Sequence, residues 1–121
     1  MKQKQIIHAY NALTRLYSKP MSFKEAYKIF VTRKALEEFA VFQMDREHKI
    51  IEEHGGKIQM DGTFHFDDES VVDEVAKMID ELGEMEVDFT PSPATIKMEA
   101  IENVSITPYD LECLQGFVNF E

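Results

Sequence analysis

The sequence predicts one α+β domain over residues 1–121: a long N-terminal helical hairpin packed on a small antiparallel sheet, with two further short helices. Three observations predict it. Residues 22–54, SFKEAYKIFVTRKALEEFAVFQMDREHKIIEEH, run without a Pro or a Gly, and Gly55-Gly56 follows at once. Lys19-Pro20 separates that run from an earlier stretch with its own helical spacing of apolar residues. Beyond Lys57 the apolar spacing shortens to two, on either side of Asp61-Gly62 and again at 84–89 and 95–101. The chain therefore divides into a helical hairpin over 1–54 and, over 55–121, a β-hairpin, a helix, strands and a C-terminal helix.

The first helix covers residues 2–18. Ile6, Ile7, Tyr10, Leu13, Leu16 and Tyr17 recur every three or four residues and share one face. Pro20 ends it, because Pro lacks an N–H and restricts the residue before it. Ser22 caps the second helix, and Glu25 three residues later completes a capping box. Its first half carries the stripe Phe23, Ala26, Tyr27 and Phe30. Its middle, with Ala35, Leu36, Phe39, Ala40, Val41, Phe42 and Met44, is apolar on more than one side, as in a helix buried on two sides. The 33 residues of this run would extend roughly 50 Å, whereas a compact chain of this length is roughly 35 Å across. Such a helix projects from its own core or is covered by a partner, and its charged tip, DREHKIIEEH, reads as solvated.

Gly55-Gly56 supplies the left-handed stop after the helix. Asp61-Gly62 suits a two-residue type I′ turn, with Ile58, Met60, Phe64 and Phe66 inward and Gln59, Thr63 and His65 outward. Ser70 caps a third helix to Leu82, with Val72, Val75, Met78, Ile79 and Leu82 on its buried face and Gly83 at its end. EMEVDF and TIKMEAI alternate as half-exposed strands do, and Val104 and Ile106 extend the sheet. Thr107 as N-cap, Pro108 at N1 and Asp110 at N3 open the last helix, which is expected to dock through Tyr109, Leu111, Leu114, Phe117, Val118 and Phe120.

Composition bounds the function classes. A single cysteine, Cys113, rules out an internal disulfide and a Cys-based zinc site, and its place in the last helix reads as packing. The chain start lacks the apolar core of a signal peptide, and no apolar run approaches the length that spans a bilayer, so the expectation is a cytoplasmic protein without membrane contact. No phosphate-binding glycine loop and no G-x-S-x-G occurs, so no catalytic residue and no cofactor is expected. Asp45, Glu47, His48, Glu52 and His54 crowd the helix tip, with His48 and Glu52 four residues apart, but a carboxylate-bridged di-iron centre needs Glu-x-x-His on two helices. The tip therefore reads as a solvated, charged helix end with no metal.

Charge is unevenly placed. Residues 1–57 carry eleven Lys/Arg against seven Asp/Glu, and residues 58–121 carry two against sixteen. Eleven carboxylates lie between Asp61 and Asp88, opposed by Lys77 alone. Either the acidic half covers the basic N-terminal part, within or between copies, or it faces a basic partner. It repels nucleic acid directly. Asp67, Asp68, Asp73, Asp80 and Glu84 are the candidate acidic partner face, and a face of that kind could mimic nucleic-acid phosphates to a basic nuclease or DNA-binding protein of the host.

The order AYNALTRLYSKPMSFKEAYKIF, then EHKIIEEHGG, the Asp-Gly hairpin, DELGEMEVDF and ITPYDLECLQGFVNFE resembles small uncharacterised phage and prophage proteins of Gram-positive bacteria. The resemblance covers most of the chain and rests on helix caps and core positions. It implies a viral setting in a bacterial cell and a non-enzymatic role, and it carries over no functional residue. The expectation is an accessory protein acting by protein–protein contact as a homo-oligomer, with Leu36, Phe39, Ala40 and Phe42 as candidate core or interface. Its other expected partner is a basic host or phage protein.

Overall fold

Two antiparallel helices dominate the computed structural model, which describes residues 1–121. Helix α1 spans Gln3–Tyr17 and α2 spans Phe23–Glu53, within a residue or two of the boundaries that Pro20, Ser22 and Gly55 dictate. Ser22 has the extended backbone of an N-cap, but its side chain makes no capping bond. The expected capping box does not form, because Glu25 turns inward. Its carboxylate accepts bonds from the Lys97 backbone N–H at 3.3 Å and from Lys28 Nζ at 3.4 Å. At the far end the left-handed Gly55, φ +81°, turns the chain out of α2 as expected, its N–H bonded to the Glu52 carbonyl.

The hairpin closes on residues spaced by sevens. Ile29 and Leu36 of α2 are buried with Ile6, Ala9, Leu13 and Leu16 of α1. Gln43 and Ile50 continue the line down α2. This is the spacing of two helices packed side by side, a few residues of each repeat facing the neighbour. The C-terminal residues Ile96, Leu114, Phe117 and Val118 complete this core.

A second, smaller core covers the far end of α2. Ile50 and Ile51 pack with Phe66 of the β-hairpin and Val75 of the third helix. The apolar side of the tip is thus covered within the chain, while its charged residues stay exposed apart from the half-buried Glu47 and His54. Strands β1, Gly56–Ile58, and β2, Phe64–Phe66, pair antiparallel with Lys57 opposite His65. The turn is not type I′, which needs positive φ at both central residues. Only Gly62 has it; the Gly62 N–H closes onto the Gln59 carbonyl, and the Asp61 carboxylate accepts from the Thr63 N–H and hydroxyl. Met60 and Phe64, expected inside, are exposed.

Helix α3 spans Val72–Glu84 after a single 3-10 turn, Glu69–Val71. Asp68 rather than Ser70 supplies a cap, and it caps the 3-10 turn, its carboxylate accepting from the Ser70 N–H at 3.0 Å, while α3 itself, with Val71 at its N-cap position, has no side-chain cap. Gly83 stays inside α3 and is buried where α3 crosses α1, 3.3 Å from Lys4 to any added Cβ. Residues 84–89 form no strand: the helical turn of the chain after Lys2 leaves them a single bridge, Lys2 to Glu86. The 95–101 strand shrinks to β3, Ala94–Ile96, before a 3-10 turn at Met98–Ile101. Helix α4, Pro108–Cys113, has the expected cap, Thr107 Oγ1 accepting from the Asp110 N–H at 3.1 Å. Tyr109 and Leu111, expected to dock, stand exposed on it. Gly116 then reverses the chain, and β4, Val118–Phe120, lies parallel to β3 instead of prolonging the helix. The parallel sense follows from the crossover through α4 that joins the two strands.

Candidate protein-contact surface

Opposite its buried line, α2 carries a second stripe, Phe23, Tyr27, Phe30, Lys34, Glu37 and Val41, spaced by threes and fours. One helix therefore presents two faces, and the fold covers one. Phe23 is 85% exposed, Tyr27 57% and Phe30 43%. Their rings stack in series with centroids 6.3 and 6.1 Å apart. Tyr17 of α1 joins them around a shallow apolar hollow floored by Ala26. Arg33 seals the seam between the helices: its guanidinium lies 4.7 Å from the Tyr10 ring and 5.0 Å from the Tyr17 ring, and Nε donates to Thr14 Oγ1 at 3.0 Å. Further along, Ile7 and Tyr10 of α1 and Ala40, Val41 and Met44 of α2 line an open groove. Two apolar patches, parted by the Lys34–Glu37 pair, thus lie along the outer side of the hairpin. Large exposed apolar patches on a small protein mark contact with something else.

The four interface candidates from the sequence go three ways. Leu36 is fully buried, and Phe39 is half-buried with its ring edge-to-face against Phe89 at 5.1 Å. Both belong to the chain's own core. Ala40 sits at the wall of the outer groove, and Phe42 is exposed on the other flank of α2. Phe23, Tyr27 and Phe30 read in the sequence as one stripe of α2, and nothing in the stripe itself singles them out as surface. The signal was available: Ile29, Leu36 and Ile50, with Gln43 between them, keep a seven-residue spacing from 29 to 50, whereas the aromatic stripe stops at Phe30.

The five acidic candidates are not equivalent. Glu84 is bonded to both Lys2 and Lys4, and these bonds hold its carboxyl at about 2. Asp68 is engaged in the cap, and its bonds to Ser70 lower its pKa. Asp67 lies 3.4 Å from His65 Nε2, while Asp73 and Asp80 are exposed on α3. A further acid–base tie lies elsewhere: Arg15 Nε donates to the buried Asp110 at 2.8 Å. Burial pushes the Asp110 carboxyl up, but the Arg15 bond and charge, with the Thr107 bonds, outweigh it and leave the pKa below the usual carboxylate range. Basic N-terminal and acidic C-terminal parts therefore meet within one chain at Glu84 and Asp110.

At the α2 tip, His54 Nδ1 lies 2.7 Å from the Ile50 carbonyl and its Nε2 3.8 Å from Glu74. Glu47 accepts from Gln43 at 2.9 Å, and His48 and Glu52 are exposed. No three His, Cys, Asp or Glu side chains converge as a metal site. Cys113 is half-buried beside Tyr109, whose pKa it raises. No helix is long and apolar enough to cross a membrane. Comparison with protein-family models, with curated proteins and with solved structures finds no match to this chain.

Proposed function

We propose that this chain is a phage or prophage accessory protein of the bacterial cytoplasm that acts without catalysis, through protein–protein contact, as a homo-oligomer. The observation that carries this reading is the exposed ladder Phe23–Tyr27–Phe30 with Tyr17, on a helix whose other face is fully packed. The exposed area of these three neighbouring rings forgoes the roughly 25 cal/mol per Å² that its burial would contribute. A covering protein recovers it. The resemblance to phage proteins supplies the setting. The alternative, an acidic mimic of nucleic acid, has less behind it, because Glu84 is neutralised by Lys2 and Lys4 and Asp68 is held in a cap.

Light scattering behind size exclusion, at low and high salt, tests the reading. The expected result is a multiple of the 14.0 kDa chain mass that persists at high salt and drops to one chain in Phe23→Ser/Phe30→Ser. A wild-type monomer at both salt concentrations sinks the homo-oligomer.

A further inference from the structure

We propose that the outer face of α2 docks antiparallel on the same face of a second copy, about a two-fold axis at the level of Ala35 and Leu36. The proposal rests on the homo-oligomeric reading above and says which surface makes the contact and in what register.

The charge layout of α2 commits the face to a second copy. Its first part keeps Lys24, Arg33 and Lys34 in excess, because the sole acid there, Glu25, is buried and offset by Lys28, which also bonds the Thr95 carbonyl. From Glu37 to Glu53 six carboxylates outnumber Arg46 and Lys49. A helix basic at one end and acidic at the other repels a parallel copy and attracts an antiparallel one.

The exposed stripe sets the register. Turned about the Ala35–Leu36 level, Lys34 meets Glu37 of the partner subunit, Phe30 meets Val41 of the partner subunit, and Tyr27 meets Met44 of the partner subunit. All six positions are exposed or half-exposed in the single chain. An apolar band thus forms on each side of a central charge cluster, and the two-fold repeats every contact, as an isologous interface requires. The Lys34–Glu37 pair inside each chain, at 2.5 Å, already places those two charges at the axis.

Mass in solution tests the pairing through charge. Lys34→Glu sets carboxylates against carboxylates across the axis, and Glu37→Lys sets lysines against lysines. Each variant alone is expected to run at one chain mass, and an equal mixture of the two is expected to return to two. Cross-linking tests the register, in a Cys113→Ser background. Oxidation is expected to join Phe30→Cys chains to Val41→Cys chains, and neither to itself. The two symmetry-related Phe30 positions stand eleven residues apart along antiparallel helices, roughly 16 Å, beyond disulfide reach. A dimer whose mass ignores both charge variants, or self-linking of Phe30→Cys, overturns this arrangement while leaving the homo-oligomer standing. A wild-type monomer overturns both.

Discussion

The two faces of α2 draw on similar apolar residues and meet opposite fates. Inward, Ile29, Leu36 and Ile50 are at most 6% exposed. Outward, the larger Phe23, Tyr27 and Phe30 stand largely in water. Side-chain size does not decide the matter; register does. The inward line repeats by sevens from Ile29 to Ile50, so α1 covers its first part and the β-hairpin with α3 covers its end. The aromatic line lasts two turns and has only Tyr17 beside it. The face that the fold leaves uncovered is the one that carries the proposed contact.

The sharpest way to break this contrast is to truncate both faces. Leu36→Ala is expected to cost about 2–5 kcal/mol in urea unfolding, as buried leucines do. Phe30→Ala is expected to leave the dilute protomer within about 0.5 kcal/mol of wild type, as surface positions do, while lowering the mass in solution. Equal losses at the two positions would mean that the aromatic line is folded inward.

The satellite core at the tip of α2 offers a second cut. A Cβ at Gly56 would collide with the side chains of Ile51 and Phe66. Gly56→Ala is therefore expected to cost about 1–3 kcal/mol, as overpacking does. Hydrogen exchange locates the damage: faster exchange confined to β1, β2 and the last turns of α2, with α1 protected, shows the tip to be a separate layer.

Helix boundaries were legible because single residues set them. Pro20, Gly55 and the Thr107–Pro108 pair each act on the adjacent backbone and need nothing distant. The capping box at Ser22 misled because Glu25 had a distant competitor, the Lys97 backbone N–H, that no local pattern displays. The strands were poorly legible for the same reason. EMEVDF alternates well but finds no neighbour beyond one bridge, whereas Val118–Phe120 reads as helix and pairs with β3 across a long connection. The candidate surface was half legible: α2 was seen to be apolar on two sides, but which side α1 takes depends on the seven-residue line of Ile29, Leu36, Gln43 and Ile50.

Acid separates the ties between the chain's two halves from its apolar packing. The Glu84 carboxyl, bonded to Lys2 and Lys4, titrates at about 2 against an ordinary value of 4.5. A folded pKa below the unfolded one stabilises fully above pH 4.5, and that contribution disappears as pH falls through about 2. Glu84→Gln is therefore expected to lie slightly below wild type in stability at neutral pH and to converge with it in acid, in urea unfolding at several pH values. High salt narrows the neutral gap, since the pair is exposed. A gap independent of pH would show that Glu84 acts through packing.

The smallest expected effect concerns two polar residues on the buried face. Gln3 and Gln43 lie in the α1–α2 seam. Gln3 Nε2 donates to the Phe39 carbonyl at 3.1 Å and to Gln43 Oε1 at 3.4 Å, while Gln3 Oε1 has no partner. A buried unsatisfied oxygen costs about 1–3 kcal/mol, close to what these two bonds and the part-buried Gln43–Glu47 bond return. Replacing both groups by methionine, of similar length, is therefore expected to leave the urea midpoint unchanged or raise stability by up to about 1 kcal/mol. Gln43 occupies the same line as Leu36 and Ile50, where a lone polar residue fixes the register of one helix on another at little net stability. Gln3→Met/Gln43→Met is accordingly expected to keep its stability while broadening the NMR lines of α1, because the helix can slide. A loss above about 2 kcal/mol would instead place a bridging water on Gln3 Oε1, satisfied in the wild type and displaced in the variant.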